Sequence, residues 1–334
     1  MVRFSFIFLL LFYNTVFSQS YPNPKIDSFI RRIIIKITEE NYASADSLVR
    51  IFKSEYPNIT FPHIYDAANE ISKDYNNNLK LNNKRIYAAL SQAEEIADSL
   101  FEADSVNIWN SYQKGLVNGY WAYFEGLKGN YFSAYDYGTD ALKYFSKCLE
   151  KDSTFSDALI AEGTYEYWIA EKLGWLPFIP DNREHAIGLI YKGIASNSYL
   201  RNIGVTSLFW ILKNEKRYNE AKNLIKKEYN KYPTNRYIIS AYANIEKEFN
   251  KQRSVDLYKK ALEITLNRNE KNRINEIILR HKIAMLLSDL GKRKDAISEC
   301  KKILAMRNLT PWESEKLDGR LDKVRELYLK LRVK

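Results

Sequence analysis

The chain is short of the residues that break helices and of those that carry most enzyme chemistry. Its 334 residues include only 8 prolines and 12 glycines, too few for the turn-rich sequence of a β-sandwich or barrel. Two cysteines, Cys148 and Cys300, make no disulfide framework, C-x-x-C motif or zinc-type thiolate set. The three histidines, His63, His185 and His281, stand apart, and none belongs to an H-E-x-x-H motif. There is no G-x-S-x-G and no glycine-rich phosphate loop. The stretch "GLVNGYWA" lacks the Lys-Ser/Thr that a phosphate cradle needs. Carboxylates are plentiful, but no pair stands out as acid and base. These absences argue against an enzyme, a metal or a cofactor. Beyond the N-terminus no apolar run reaches the ~18 residues of a membrane span.

What remains reads as helix. Lys, Glu, Leu, Ile and Ala dominate, all good helix formers, beside 25 tyrosines. Both cysteines fall on apolar helix positions, which predicts buried thiols. The polar run "NNNLKLNNK" at 76–84 reads as a loop. Charge is uneven. Residues 1–200 hold 19 Lys/Arg against 24 Asp/Glu, and residues 201–334 hold 32 against 17, or −5 and +15. A basic half of this kind attracts anionic partners or is simply a solvated lysine-rich surface.

The N-terminus reads as an export signal. "MVRFSFIFLLLFYNTVFSQS" has Arg3, an apolar run from Phe4, and Val16 and Ser18 placed for cleavage after Ser18. The expected location is therefore periplasmic or extracellular. No cysteine at the cut offers a site for lipid attachment.

One spacing returns along the chain. "ENYASADSLVRIFKSEYP" contains Tyr42, Ala45, Val49, Phe52 and Pro57. "KRYNEAKNLIKKEYNKYP" contains Tyr218, Ala221, Ile225, Glu228 and Pro233, with the same gaps of 3, 4, 3 and 5. "LGKRKDAISECKKIL" continues it through Gly291, Ala296, Cys300 and Ile303, and "GNYFSA" opens alike with Gly129, Tyr131 and Ala134. Gaps of three and four put side chains on one helix face. The small Ala admits a neighbouring helix, and the proline ends its own. A preceding helix places Ala122, Phe209 and Ala284 nine residues before Tyr131, Tyr218 and Arg293.

On these residues the chain resembles the tetratricopeptide repeat family, as an exported bacterial member. The resemblance implies an all-α fold: a right-handed superhelical solenoid of antiparallel helix pairs with a concave groove. The expected order is a signal peptide at 1–18, a degenerate helical region at 19–110, repeats at 111–310 and a C-terminal capping helix at 311–334. The units are 26–57, 115–150, 155–200, 202–235, 236–269 and 277–310, with Gly163 and Ala186 as the small contacts of the third.

That unit carries an unusual insertion, "GWLPFIPDNRE" at 174–184. Gly174 suits a helix C-cap, and Asp181 with Glu184 resembles a capping box. Trp175, Leu176, Phe178 and Ile179 either plug the space between units or contact a partner, and Trp175, Phe178 and Arg183 are the binding candidates of this stretch. In the family, groove-facing residues come from the first helix of each pair. The matching positions here include Tyr167, Trp168, Trp210, Lys213, Asn214, Asn244 and Lys247. An Asn amide can bond a peptide backbone and a Lys can meet a carboxylate. The resemblance thus implies a scaffold that binds a protein or peptide. The alternative is a glycan-binding protein of the cell envelope. No nucleic acid is expected, because the chain reads as exported and shows no regular two-residue base code.

Overall fold

In the computed structural model, residues 19–173, 175, 180–268 and 272–333 are described. Residues 1–18, read from the sequence as an export signal, and Gly174 and Phe178 of the insertion lie outside them. The described elements form consecutive helix pairs: α1 (Pro24–Thr38) with α2 (Tyr42–Glu55), α3 (Phe61–Asn76) with α4 (Asn83–Ala103), α5 (Ile108–Lys128) with α6 (Tyr131–Lys151), and α7 (Ser156–Leu173) with α8 (Arg183–Ala195). They continue with α9 (Arg201–Asn214) and α10 (Tyr218–Lys231), α11 (Arg236–Glu246) and α12 (Lys251–Leu266), and α13 (Arg273–Asp289) and α14 (Arg293–Leu304). The end is α15 (Pro311–Lys316) and α16 (Arg320–Val333). No described helix is long and apolar enough to cross a membrane.

The helix ends explain the asparagine-rich composition. Asn23, Asn41, Asn82, Asn107, Asn235, Asn250 and Asn272 are all N-caps whose side chains accept from first-turn backbone N–H groups. The loop expected at 76–84 is the α3–α4 connection. Gly129 ends α5 in the left-handed region, at φ 86°, where a side chain is strained.

The repeat residues form the core. Ala45, Phe52, Ala221, Ile225, Ala296 and Cys300 are fully buried, at 0% exposure. Both cysteines are free buried thiols; burial pushes Cys148 up to about 12 and Cys300 up to about 11. At Gly163 a Cβ would come 2.5 Å from the Ala186 carbonyl oxygen, so α7 and α8 cross at a distance only glycine permits.

Three details differ from the sequence expectation. Tyr131 is 75% exposed, whereas its counterpart Tyr42 is 8%. Tyr42 is held against the next pair, where Asn76 of α3 donates to its hydroxyl at 2.8 Å. Burial on α6 begins at Ala141 and continues at Phe145 and Cys148. The helix after the insertion starts at Arg183 with Asn182 as N-cap and no side-chain cap bond. Asp181 therefore sits one residue too early for a capping box and binds Arg183 instead. The expected single terminal helix is two, because the chain turns at Leu317–Gly319, with Gly319 at φ 65°. Thr310 and Glu313 form the capping box that starts α15.

The array curls until its beginning touches its later repeats. Thr38 at the end of α1 accepts from Asn202 (2.9 Å) and, through its carbonyl, from Asn235 (2.6 Å). Glu40, with its side chain at 0% exposure, pairs with Arg236 at 2.7 Å and also with Arg268. The α3–α4 loop accepts from Asn272, Asn275 and Trp312 through the carbonyls of Asn77, Asn76 and Asn78. The segment Gln19–Tyr21 lies under the first helices of the array. Gln19 exchanges two hydrogen bonds with buried Asp157, which also accepts from Tyr112 (2.7 Å) and the Leu200 amide (2.8 Å).

Candidate functional site

The concave side of the curl holds a half-open cavity of about 1240 Å³, larger than the usual range for small-ligand pockets. Its walls are mainly the first helices of successive pairs, α3, α5, α7 and α9, with the end of α1 and the start of α11. A second cavity of about 300 Å³ adjoins it toward α13, sharing Tyr75, Asn76, Trp210 and Tyr237 with the first.

The wall follows a register. Counting from the anchors Ala122, Gly163, Phe209 and Ala243, the next residue is Tyr123, Thr164, Trp210 or Asn244. Two places before each anchor stand Tyr120, Ala161, Ser207 and Ala241. All of these line the two cavities. Positions three or four apart share a helix face, so a stack of parallel first helices presents the same register to the interior.

The structure divides the residues singled out by sequence into groups. Trp168, Trp210, Lys213 and Asn214 line the large cavity, and Asn244 lines the small one. Lys172 lies 5.6 Å over the Trp168 ring and Lys213 lies 5.1 Å over that of Trp210. Trp210 Nε1 donates to Tyr237 Oη at 2.7 Å, fixing its indole. Lys213 has no ion pair among the described residues. Burial, then Lys247 nearby, lowers its pKa from the ordinary lysine value. Lys247 itself pairs with Glu248 at 3.4 Å.

Tyr167 and Arg183 do not face the groove. Tyr167 is fully buried; its hydroxyl donates to Glu215 (2.7 Å) and accepts from Asn214 (2.8 Å). Arg183 reaches the same Glu215 at 3.1 Å, along with Glu171 and Asp181. These two residues therefore tie the start of α8 to α7 and the end of α9. Trp175 is 78% exposed and outside both cavities. Phe178 is outside the described residues.

Sequence reasoning missed Tyr75, Tyr123, Tyr165 and Tyr237 on the wall, and Lys282 in the smaller cavity. The register was the available signal: Tyr123 holds the same place as Trp210. Lys282 stands 5.1 Å over the Tyr258 ring. Burial first, then Arg320, Lys213 and Lys247, lower it to about 8. His281 beside it is 3% exposed and lowered to about 4 by burial, Arg320 and Lys323. Among the described residues no group of three His, Cys, Asp or Glu is arranged to hold a metal ion.

Neither a protein-family model nor a curated protein matches the chain. Among solved structures it is similar to the C-terminal part of a TPR repeat-containing protein from Cytophaga hutchinsonii, at 17% identity and TM-score 0.42, over 86% of this chain and 99% of that one. It is also similar to PilW, a type IV pilus biogenesis factor, at 14% identity and TM-score 0.48, over 73% and 97%. A third is the human IFIT1 dimer with m7Gppp-AAAA, at 11% identity and TM-score 0.44, over 92% and 68%. The chain's own paired helices, buried Ala and Gly contacts and repeating wall register give it a fold of the tetratricopeptide type, curled into an array that contacts itself.

Proposed function

We propose that the protein is an exported binding scaffold that takes a segment of a protein or peptide partner at the concave mouth formed by Trp168, Trp210, Lys213 and Asn214. The observation that carries this is that the four residues share one cavity wall. Aromatic rings held in place are the usual anchors of a protein contact. The acidic group on the wall, Glu228, is committed to Arg201 at 2.7 Å. The export reading rests on residues 1–18 of the sequence.

The test is crosslinking and affinity purification of the tagged protein from fractionated cells, beside Trp168→Ala/Trp210→Ala. A specific envelope protein captured by the parent and lost from the folded variant supports the reading. Equal capture by both removes this wall as the site, and a tag found only in the cytoplasm removes the export reading.

A second reading, glycan binding, is favoured by the ring-rich wall, where Tyr75, Tyr123, Tyr165 and Tyr237 accompany the two tryptophans. Glycan-array binding that depends on Trp168 would support it over the first.

A further inference from the structure

The depth of the large cavity has a different character from its mouth. One helical turn below it, toward the N-termini of α3, α5 and α7, the rings of Tyr21, Phe61, Trp109, Tyr112, Phe155 and Tyr199 touch one another. The N-terminal segment completes this cluster and fills that end. This cluster borders the cavity at the N-terminal ends of α3, α5 and α7, away from Trp168 and Trp210.

Above that floor the wall is mostly apolar, with Ala68, Ile71, Leu116, Ile160, Leu200 and Ile203, and Thr164 contributes one unpaired buried hydroxyl. Several polar side chains among them are already engaged within the protein. Asn202 donates to Thr38, Thr206 donates to the Asn202 carbonyl, and Asn76 donates to Tyr42. A peptide backbone pushed to this depth would lose water from its amides and meet few free partners, which is costly. A hydrocarbon chain has no such groups to satisfy, and its burial is favourable.

Gly119 adds an independent observation. It sits in the middle of α5 and lines the cavity. Nothing lies within 4 Å of the place a Cβ would take. Glycine inside a helix costs about 1 kcal/mol relative to alanine. At Gly163 that cost is offset by a helix crossing. At Gly119 no helix uses the space, and the missing side chain enlarges the cavity instead.

Charge completes the description. The charged residues on the wall are Lys213, Lys216 and Glu228, and Glu228 is neutralised by Arg201. Lys213 stands at the mouth without an ion pair, so the site is net positive where the hydrocarbon wall ends. An acid group there would meet an ammonium that stands over the Trp210 ring and has no ion pair among the described residues.

We infer that the interior of the array binds a long-chain aliphatic carboxylate, held tail-first in the apolar space beside Gly119 with its acid group at Lys213. This goes beyond the partner segment proposed at the mouth and is tested separately from it.

The experiment is calorimetric titration of the full mature chain with palmitate and with palmityl alcohol. Palmitate is expected to bind, and the alcohol more weakly by about tenfold, the loss of one ion pair. Gly119→Phe, or Ala161→Phe on the facing wall, is expected to abolish binding of both while unfolding at the parent's temperature or above. Gly119→Ala is expected to bind like the parent. Lys213→Met is expected to bind acid and alcohol alike. Absence of palmitate binding, or binding indifferent to both phenylalanine variants, overturns the inference. Equal affinity of the parent for acid and alcohol overturns the role of Lys213. None of these results alters what the crosslinking experiment says about a protein partner.

Discussion

Glu40 and Arg236 are 196 positions apart in sequence, yet their ion pair is 2.7 Å long, with the carboxylate side chain at 0% exposure and the guanidinium at 7%. Arg268 reaches the same carboxylate. The pair joins the connection after α1 to the start of α11.

Removing one member of a buried ion pair strands the other, at a cost of about 3–5 kcal/mol. Glu40→Ala is therefore expected to lower stability by about that amount in urea unfolding. It is also expected to enlarge the radius of gyration in small-angle scattering, because Arg236 and Arg268 no longer hold the two regions together. An unchanged unfolding midpoint would show that the asparagine bonds around Asn77 suffice to keep the array curled.

Asp157 gathers Gln19, Tyr112 and the Leu200 amide onto one buried carboxylate. Asp157→Ala leaves these donors without an acceptor, at about 1–3 kcal/mol for each one that stays unpaired. Gln19→Ala is expected to destabilise less, because Tyr112 and the Leu200 amide keep their acceptor. Comparing the two unfolding curves checks the order.

Two glycines offer a matched pair. A Cβ at Gly163 would stand 2.5 Å from the Ala186 carbonyl oxygen, whereas one at Gly188 meets nothing within 4 Å. Gly163→Ala is expected to destabilise by about 1–3 kcal/mol through overpacking. Gly188→Ala is expected to stabilise by about 0.5–1 kcal/mol, the helix-propensity gain. Thermal unfolding of both variants would reveal the opposite signs.

Lys282 gives a pH dependence. Burial, Arg320, Lys213 and Lys247 lower it from 10.5 to about 8 in the folded chain. The unfolded chain therefore binds this proton more tightly between those values, and its contribution to stability rises with pH there. Below about 8 the folded protein carries the full penalty of a crowded ammonium. Lys282→Met is expected to stabilise the protein at neutral pH and to flatten the rise. Urea midpoints of parent and variant across the window measure the difference; parallel curves would show that the ammonium is adequately solvated.

The repeat was legible in the sequence because each contact within a helix pair is written at gaps of three and four. Ala45, Val49 and Phe52, or Ala221 and Ile225, announce a buried face without any knowledge of the neighbour. The exposed Tyr131 was not legible, since its pattern matches that of Tyr42, whose burial depends on Asn69 and Asn76 of the following pair. The curl was invisible for another reason. Glu40, Asn77, Arg236 and Asn272 are polar residues in short connections or at helix ends, with no periodicity to mark them as partners. At the site, the family register found Trp210, Lys213 and Asn244. It placed Tyr167 on the groove because it does not distinguish the groove face from the adjoining buried one.

The contacts between the first repeats and the later ones also set the order in which the chain can become complete. In an open solenoid each repeat leans only on its neighbours, so ends fray and folding spreads from any point. Here α1 and the α3–α4 loop find their partners at Asn202, Arg236 and Asn272, residues that leave the ribosome or a translocation channel much later. The first hairpins must wait, with Glu40 in water, until most of the polypeptide has followed. The ends of this protein are thereby made to fold and unfold together, and a repeat array acquires the all-or-none behaviour of a globular domain.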